Sequence, residues 1–227
     1  MEAFHVIATH PQILTGTGDC NSQYDVFGNF SRAITPNGTP SPHLQWDPTE
    51  QEIFDAITDK RLDEEPMATI PEGMTARAFA AQVARERLRS AVPDVDTYCD
   101  AEINDSMYFT LFPNFLPWGA FNRINYRFRP VGTKVDECLM ECIYTEDFEG
   151  DERPAPAEYI ELGIDQEWTE LIPVIGNLAR VFHQDSFNLP KVQKGLETFR
   201  ADGLTLTKYQ EVKIRHWHAM AERFIAN

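Results

Sequence analysis

The clearest alternation of apolar and polar residues lies in the middle of the chain. Three segments rich in aromatic and β-branched residues, separated by turns with proline or glycine, predict β-strands at Ser106 to Phe112, Ala120 to Phe128 and Lys134 to Tyr144. Within the second segment Asn125 and Arg127 alternate with Tyr126 and Phe128, which predicts one polar and one apolar face. Because no helical pattern separates the three segments, they indicate an antiparallel meander.

Helical patterns lie on both sides of these strands. They predict helices at Asp47 to Ile57, Thr75 to Ala91, Gln166 to Arg180, Lys191 to Phe199 and Gln210 to Phe224. Thr75 is a suitable N-cap. Pro190 is expected at an early helical position of the fourth segment, and Asp185 at the start of a helical segment or within one. Residues 13–50 are rich in Gly, Pro, Asn, Ser and Thr, so they predict an irregular segment, either a lid over a substrate channel or a surface excursion.

Together these elements predict an α+β fold, in which an antiparallel sheet wraps around long helices in the helix-grip (START-like) arrangement. A chain of 227 residues can bury one sizeable core, so we expect one domain over residues 1–227. The 15 phenylalanines suit an apolar pocket.

The charge and the cysteines narrow the class of protein. A formal net charge of −16 argues against nucleic acid or an anionic membrane as a partner. No apolar stretch is long enough for a transmembrane helix, and no signal peptide is recognisable, so we expect a bacterial cytoplasmic protein with reduced thiols. Of the four cysteines, Cys138 and Cys142 share one face of the third predicted strand and are expected to be small buried residues.

Two histidines stand at the start of the chain, His5 and His10 in MEAFHVIATHPQ. Five residues apart on a regular helix, their side chains would diverge by roughly 140°. Pro11 disfavours the α conformation at His10, so we expect His10 just past the end of a short helix that carries His5. A bare pair of histidines is a weak signal, and the alternative is two ordinary histidines near a frayed terminus.

Four segments in order resemble the catalytic domain of the Rieske non-haem iron oxygenases, the large subunits of ring-hydroxylating dioxygenases. Glu2, His5, His10 and Pro11 resemble the mononuclear-iron motif of that family. Asp185, Asn188 and the run Gln193 to Leu196 resemble its third-ligand motif. The segments Tyr108 to Phe115 and Tyr209 to His218 complete the resemblance, which spans residues 2 to about 218 with a divergent middle.

The resemblance implies a ligand set and a relay. His5, His10 and Asp185 would hold one Fe(II), since two histidines and one carboxylate with open positions are typical of non-haem iron oxygenases. Glu2 would relay electrons toward the iron, although many relatives have Asp there. Asn188, one helical turn after Asp185, would orient a ligand or a water by a hydrogen bond. Of the remaining histidines, His183, His216 and His218 are expected to be structural or superficial, and whether His43, in the irregular segment, reaches the pocket stays open.

The resemblance also implies partners. The family carries its [2Fe–2S] cluster on two Cys-x-His pairs in an N-terminal Rieske domain, and no such pair occurs in this sequence. We therefore expect the chain to be part of something longer, with the cluster in that missing domain only. Electrons would come from a reductase, with or without a ferredoxin, and the full-length protein would be a homo-oligomer (trimer), with a β subunit left open.

The expected activity is O2-dependent hydroxylation of an apolar, aromatic substrate, as in aromatic hydrocarbon catabolism, and the isolated chain is expected to be inactive. The sequence leaves open the substrate and the choice among dioxygenation, monohydroxylation and demethylation. Two other functions stay open: a zinc or iron hydrolase using the same triad, and a metal-free START-like module that binds a hydrophobic ligand.

Overall fold

The computed structural model describes residues 2–18, 21–119, 121–145, 151–176 and 178–226, and for residues 2–4 the backbone alone. The chain divides into two compact units. Unit 1 comprises residues 1–143 and 205–227, and unit 2 comprises residues 144–204. The prediction of one catalytic domain over residues 1–227 stays a prediction.

Unit 1 contains a six-stranded sheet in the simple order β1-β2-β3-β4-β5-β6. The strands are β1 (Gln23–Val26), β2 (Phe30–Thr35), β3 (Ser106–Leu111), β4 (Phe115–Pro117), β5 (Ile124–Pro130) and β6 (Cys138–Tyr144). The pairs from β1 to β5 are antiparallel. The predicted α+β class and the antiparallel meander are therefore confirmed, while the helix-grip arrangement stays a prediction.

The helices of unit 1 are α1 (Glu2–Thr9), α2 (Glu50–Ile57), α3 (Ala76–Leu88), α4 (Asp100–Asn104) and α7 (Val212–Ala226). All but the short α4, which was not predicted, follow the predicted patterns closely. Thr75 caps α3 as predicted, since its side-chain oxygen accepts a hydrogen bond from the Ala78 N–H. Phe54 of α2 packs against Phe79 of α3, with ring centroids 5.0 Å apart, and both are buried.

The prediction of an irregular segment over residues 13–50 is wrong in its first half. Val26 pairs with Ser31 across a tight turn at Gly28 and Asn29, so β1 and β2 form a hairpin there. The Phe27 N–H donates to the Phe30 carbonyl at 2.8 Å and closes this turn. Gly-Asn between two strand-like runs is a hairpin signal, and here it prevails over the loop-like composition around it.

The regular elements described in unit 2 after the end of β6 are helical. They are α5 (Trp168–Leu171), a 3-10 turn (Pro173–Ile175) and α6 (Leu178–Thr198). The predicted single helix from Gln166 to Arg180 is wrong, because Pro173 follows α5 closely and Gly176 takes a positive φ of 62°. A φ in that region is open to glycine and strained for other residues. Trp168 packs against Phe182 with ring centroids 5.5 Å apart, and both are buried.

Two further expectations need correction. Pro190 lies in the interior of α6 and not at an early position, because one 21-residue helix carries Asp185 and continues through the segment predicted from Lys191. Cys138 is exposed at the first residue of β6, where the strand begins. Cys142 is partly buried as predicted, and burial raises the pKa of its thiol to about 12.

Candidate metal centre

The first helix ends between the two histidines. His5 belongs to α1, which stops at Thr9, and His10 has φ −125° and ψ 50°, outside the helical region. The His10 N–H still donates to the Val6 carbonyl at 3.0 Å, so His10 is held at the last turn. Pro11 then begins a 3-10 turn (Pro11–Thr15). The predicted helix end is confirmed, and its cause is the conformational restriction that a proline imposes on the residue before it.

This break brings the two imidazoles together. The ring centroids of His5 and His10 lie 4.8 Å apart with the ring planes at 81°. On an uninterrupted helix the two side chains would point roughly 140° apart. His10 is 2% exposed, which protects one of the two rings from water. The alternative of two unrelated histidines at a frayed terminus does not account for this convergence.

The 3-10 turn after His10 is fixed against α2. Leu14 is buried, and its carbonyl accepts a hydrogen bond from the Ser41 N–H at 2.8 Å. At Gly16 a Cβ atom would lie 2.5 Å from Cγ2 of Ile57 and 2.8 Å from the Ile53 carbonyl oxygen. Only glycine permits this close approach of the turn to α2. The backbone that follows His10 is therefore held by packing in unit 1.

Asp185 lies within α6, as predicted, two turns after the helix begins. Its side chain is partly exposed, and so is that of Asn188, one turn later on the same helix. Phe182, one turn before Asp185, is fully buried in unit 2 and holds this part of α6 in place. The role of Asn188 stays a prediction.

Three described residues offer potential ligand atoms for a metal ion: His5 and His10 in unit 1, and Asp185 in unit 2. Each offers one ligand atom, and we call these three residues the metal-binding group. Two imidazole nitrogens and one carboxylate oxygen form the donor set that suits a non-haem iron with open positions. The group is the one that the sequence resemblance implies.

The other predicted site residue, Glu2, begins α1, but its side chain lies outside the described residues. Its role as an electron relay stays a prediction.

The remaining histidines lie outside the metal-binding group. His183 Nε2 is 3.2 Å from a carboxylate oxygen of Glu167 in unit 2. The imidazole of His216 shares a hydrogen bond of 2.7 Å with the Phe27 carbonyl and so ties α7 to the β1–β2 turn. His43 and His218 are exposed. The placements of His183, His216 and His218 agree with the structural or superficial roles expected for them.

No helix in the described ranges combines the length and the apolar character that a membrane crossing requires. The predicted apolar cavity beside the three ligands stays a prediction.

The fold and the histidine pair agree with the comparison with known protein families. The family model described as "Ring hydroxylating alpha subunit (catalytic domain)" matches residues 1–227. The chain has no significant match among curated proteins or solved structures. Since the family match spans all 227 residues, the resemblance found in the sequence is confirmed. The chain belongs to the family of ring-hydroxylating alpha subunits, as a catalytic domain.

Proposed function

We propose that this chain is the catalytic domain of an O2-dependent ring-hydroxylating oxygenase, with Fe(II) held by His5, His10 and Asp185. The observation that carries the proposal is the convergence of the His5 and His10 imidazoles in a chain of this family, whose third-ligand motif Asp185 matches. Bound iron would supply the redox chemistry that activates dioxygen.

The residues of the chain itself would orient and shield the site. Pro11 ends α1 and turns His10 toward His5. Burial of His10 excludes water from its side of the site, which strengthens electrostatic interactions there. Asn188, on the same helix as Asp185, would orient a ligand or a water by hydrogen bonding. Glu2 would form the relay through which electrons arrive.

The substrate we propose is apolar and aromatic, and dioxygen is the second substrate. Electrons would come from NAD(P)H through a reductase, with or without a ferredoxin, and then from a [2Fe–2S] Rieske centre. The sequence contains no Cys-x-His pair, so its 227 residues carry no Rieske ligand motif. We therefore expect the 227-residue chain to bind Fe(II) but not to sustain hydroxylation with a reductase and NADH alone. Assembly into trimers, with or without a β subunit, is part of the same proposal.

Metal analysis tests the site directly. Metal-depleted protein is reconstituted anaerobically with Fe(II), and bound iron is measured after gel filtration for the wild type, Asp185→Ala and the control Asp202→Ala. Asp202 is an exposed carboxylate of the same unit and lies outside the metal-binding group. The expected result is a large loss of iron in Asp185→Ala alone, with unchanged circular dichroism.

Three results would contradict parts of the proposal. Undiminished iron in Asp185→Ala would remove Asp185 from the site. A strong preference for zinc over Fe(II), together with hydrolytic activity, would favour the hydrolase alternative. Sustained hydroxylation by the 227-residue chain with reductase and NADH would show that electrons reach the iron without a Rieske centre.

A further inference from the structure

A second candidate site lies in unit 1, where α7 covers one face of the sheet. Side chains of β1, β3 and β4 and of the segment 210–217 line a half-open cavity of about 320 Å³. This volume is at the small end of the range for ligand pockets, so the cavity suits a ligand of one ring or two. None of the proposed iron ligands lines it.

The strand register explains why a cavity forms here. Tyr24 of β1 and Tyr108 of β3 both pair with Ala33 of β2, so the three residues form one row across the sheet. In the next row Ser31 pairs with Thr110. Directly paired residues project from the same face of an antiparallel sheet. Two small residues of β2 therefore lie between larger side chains, and the space above them is left open under α7.

Three aromatic side chains form part of the cavity wall, and contacts with the rest of unit 1 hold two of them in place. Tyr24, Tyr108 and Trp217 line it. The ring of Tyr108 lies 5.4 Å from that of Trp118, its neighbour in the sheet. The indole N–H of Trp217 donates to the Pro113 carbonyl at 2.7 Å. Fixed aromatic rings favour a flat, unsaturated ligand that can stack on them or meet them edge-on.

One cationic side chain lies at the wall. The ammonium of Lys213 is 4.2 Å from the centroid of the Tyr108 ring, within the range of a cation–π interaction. Thr110 and Gln210 add a hydroxyl and an amide to the lining. Since the chain carries a net charge of −16, an anion gains nothing from the protein as a whole, and its attraction to the cavity must come from Lys213.

We propose that this cavity, between the sheet and α7, binds a small aromatic carboxylate. The ring would pack against Tyr24, Tyr108 and Trp217, and the carboxylate would accept hydrogen bonds from the Lys213 ammonium. The site does not depend on the proposed function, because none of its residues belongs to the metal-binding group.

Calorimetric titration of the metal-free protein with benzoate tests the proposal. Benzyl alcohol, a neutral ligand of similar size, is titrated in parallel. We expect benzoate to bind at least about tenfold more tightly, since hydrogen bonds to charged groups stabilise more than neutral ones. Lys213→Met should remove this preference, and Lys213→Arg should restore much of it. Lys208→Met, at an exposed lysine just before α7, is the matched control and should leave binding unchanged.

The outcomes separate this site from the histidine pair. The variant His10→Ala should bind benzoate as the wild type does, whatever its iron content. Loss of benzoate binding in that variant would place the ligand at the histidines and overturn the proposal. Equal affinity for benzoate and benzyl alcohol in the wild type would do the same without any substitution. So would undiminished benzoate binding by Lys213→Met.

Discussion

Pro11 and Pro190 each lie near a predicted metal ligand in the sequence, but the two prolines differ in their effect on the helix. Pro11 follows His10 directly, and α1 is already over at that point. Pro190 lies five residues after Asp185, and α6 continues beyond it to Thr198. The same residue type therefore ends a helix in one segment and is accommodated within a helix in the other.

After Pro11 the chain forms a 3-10 turn (Pro11–Thr15) instead of continuing the α-helix, and the backbone of this turn is hydrogen-bonded. The Ile13 N–H donates to the His10 carbonyl at 3.1 Å, and the Gly16 N–H donates to the Ile13 carbonyl at 3.0 Å. Leu14 is buried in this turn. Ending the α-helix at Thr9 thus leaves few backbone groups unsatisfied, and the restriction imposed by the proline decides the conformation.

The chain around Pro190 remains helical despite the proline. An interior proline lacks the N–H that would donate one turn back, and it costs about 3 kcal/mol. Local bonds hold the last turns: the Gln193 amide donates to Glu197 at 3.2 Å, and the Thr198 hydroxyl donates to the Lys194 carbonyl at 3.1 Å. Buried Phe182 anchors the first turns. The comparison teaches that a proline ends a helix where the following segment can bond and pack in another way.

The substitution Pro11→Ala should have the largest effect on the proposed iron site. Without the proline, α1 can extend through His10 and rotate its imidazole away from His5 by roughly 140°. We expect Fe(II) affinity to fall by about tenfold or more, the order seen when residues that orient metal ligands are replaced. Anaerobic titration with Fe(II) measures this affinity. Unchanged affinity would show that packing of the 3-10 turn, and not Pro11, sets the position of His10.

Pro190→Ala is the matched substitution in α6 and should act on stability instead. Alanine restores the missing N–H, while the greater freedom of the unfolded chain offsets part of the gain, so we expect the free energy of unfolding to rise by about 2 kcal/mol. Urea denaturation followed by circular dichroism measures it. Fe(II) affinity should stay unchanged, because Asp185 already lies on a formed helical turn. A loss of stability would contradict our account of Pro190 as a tolerated defect.

Local signals made much of the fold predictable from the sequence. The cap at Thr75, the alternation in β5 and the proline after His10 each act within a few residues, and each prediction is confirmed. The break between α5 and α6 also has local signals, Pro173 and Gly176, although the helical pattern continues across them and predicts one helix. The β1–β2 turn has a local signal in Gly28 and Asn29, but the loop-like composition around it predicts an irregular segment.

Other features depend on pairing between distant segments. The row of Tyr24, Ala33 and Tyr108 depends on the register of three strands. The β1–β2 turn fixes the pairing of Tyr24 with Ala33, but no local signal fixes the pairing of β2 with β3. The importance of Lys213 depends in turn on the position of α7 over that row. The histidine pair could be derived from spacing and Pro11, whereas the assignment of Asp185 as third ligand came from the family motif.

Glu141 lies in β6, outside both proline segments, so a substitution there alters the sheet without altering either proline. Its carboxylate accepts hydrogen bonds from Arg129 Nη2 at 2.7 Å and from Arg127 Nε at 2.5 Å, and so links β6 to β5. These bonds, the one from Arg129 most of all, lower the pKa of the Glu141 carboxyl from 4.5 to about 2. Both arginine side chains are 44% exposed, so solvent screens the ion pairs.

The substitution Glu141→Gln should therefore have the smallest effect of the three, a loss of less than about 1 kcal/mol at neutral pH. Because the pKa is lowered in the folded state, the stabilisation is fully present above the ordinary carboxyl pKa of 4.5 and is lost as pH falls from there to about 2. Urea denaturation at several pH values should show the wild type and the variant converging over that interval, with equal Fe(II) affinity at neutral pH. If the difference in stability persisted unchanged at pH values near 2, the ion pairs would not be its source. If Fe(II) affinity fell with this small loss of stability, the effect expected for Pro11→Ala could no longer be assigned to the direction of His10.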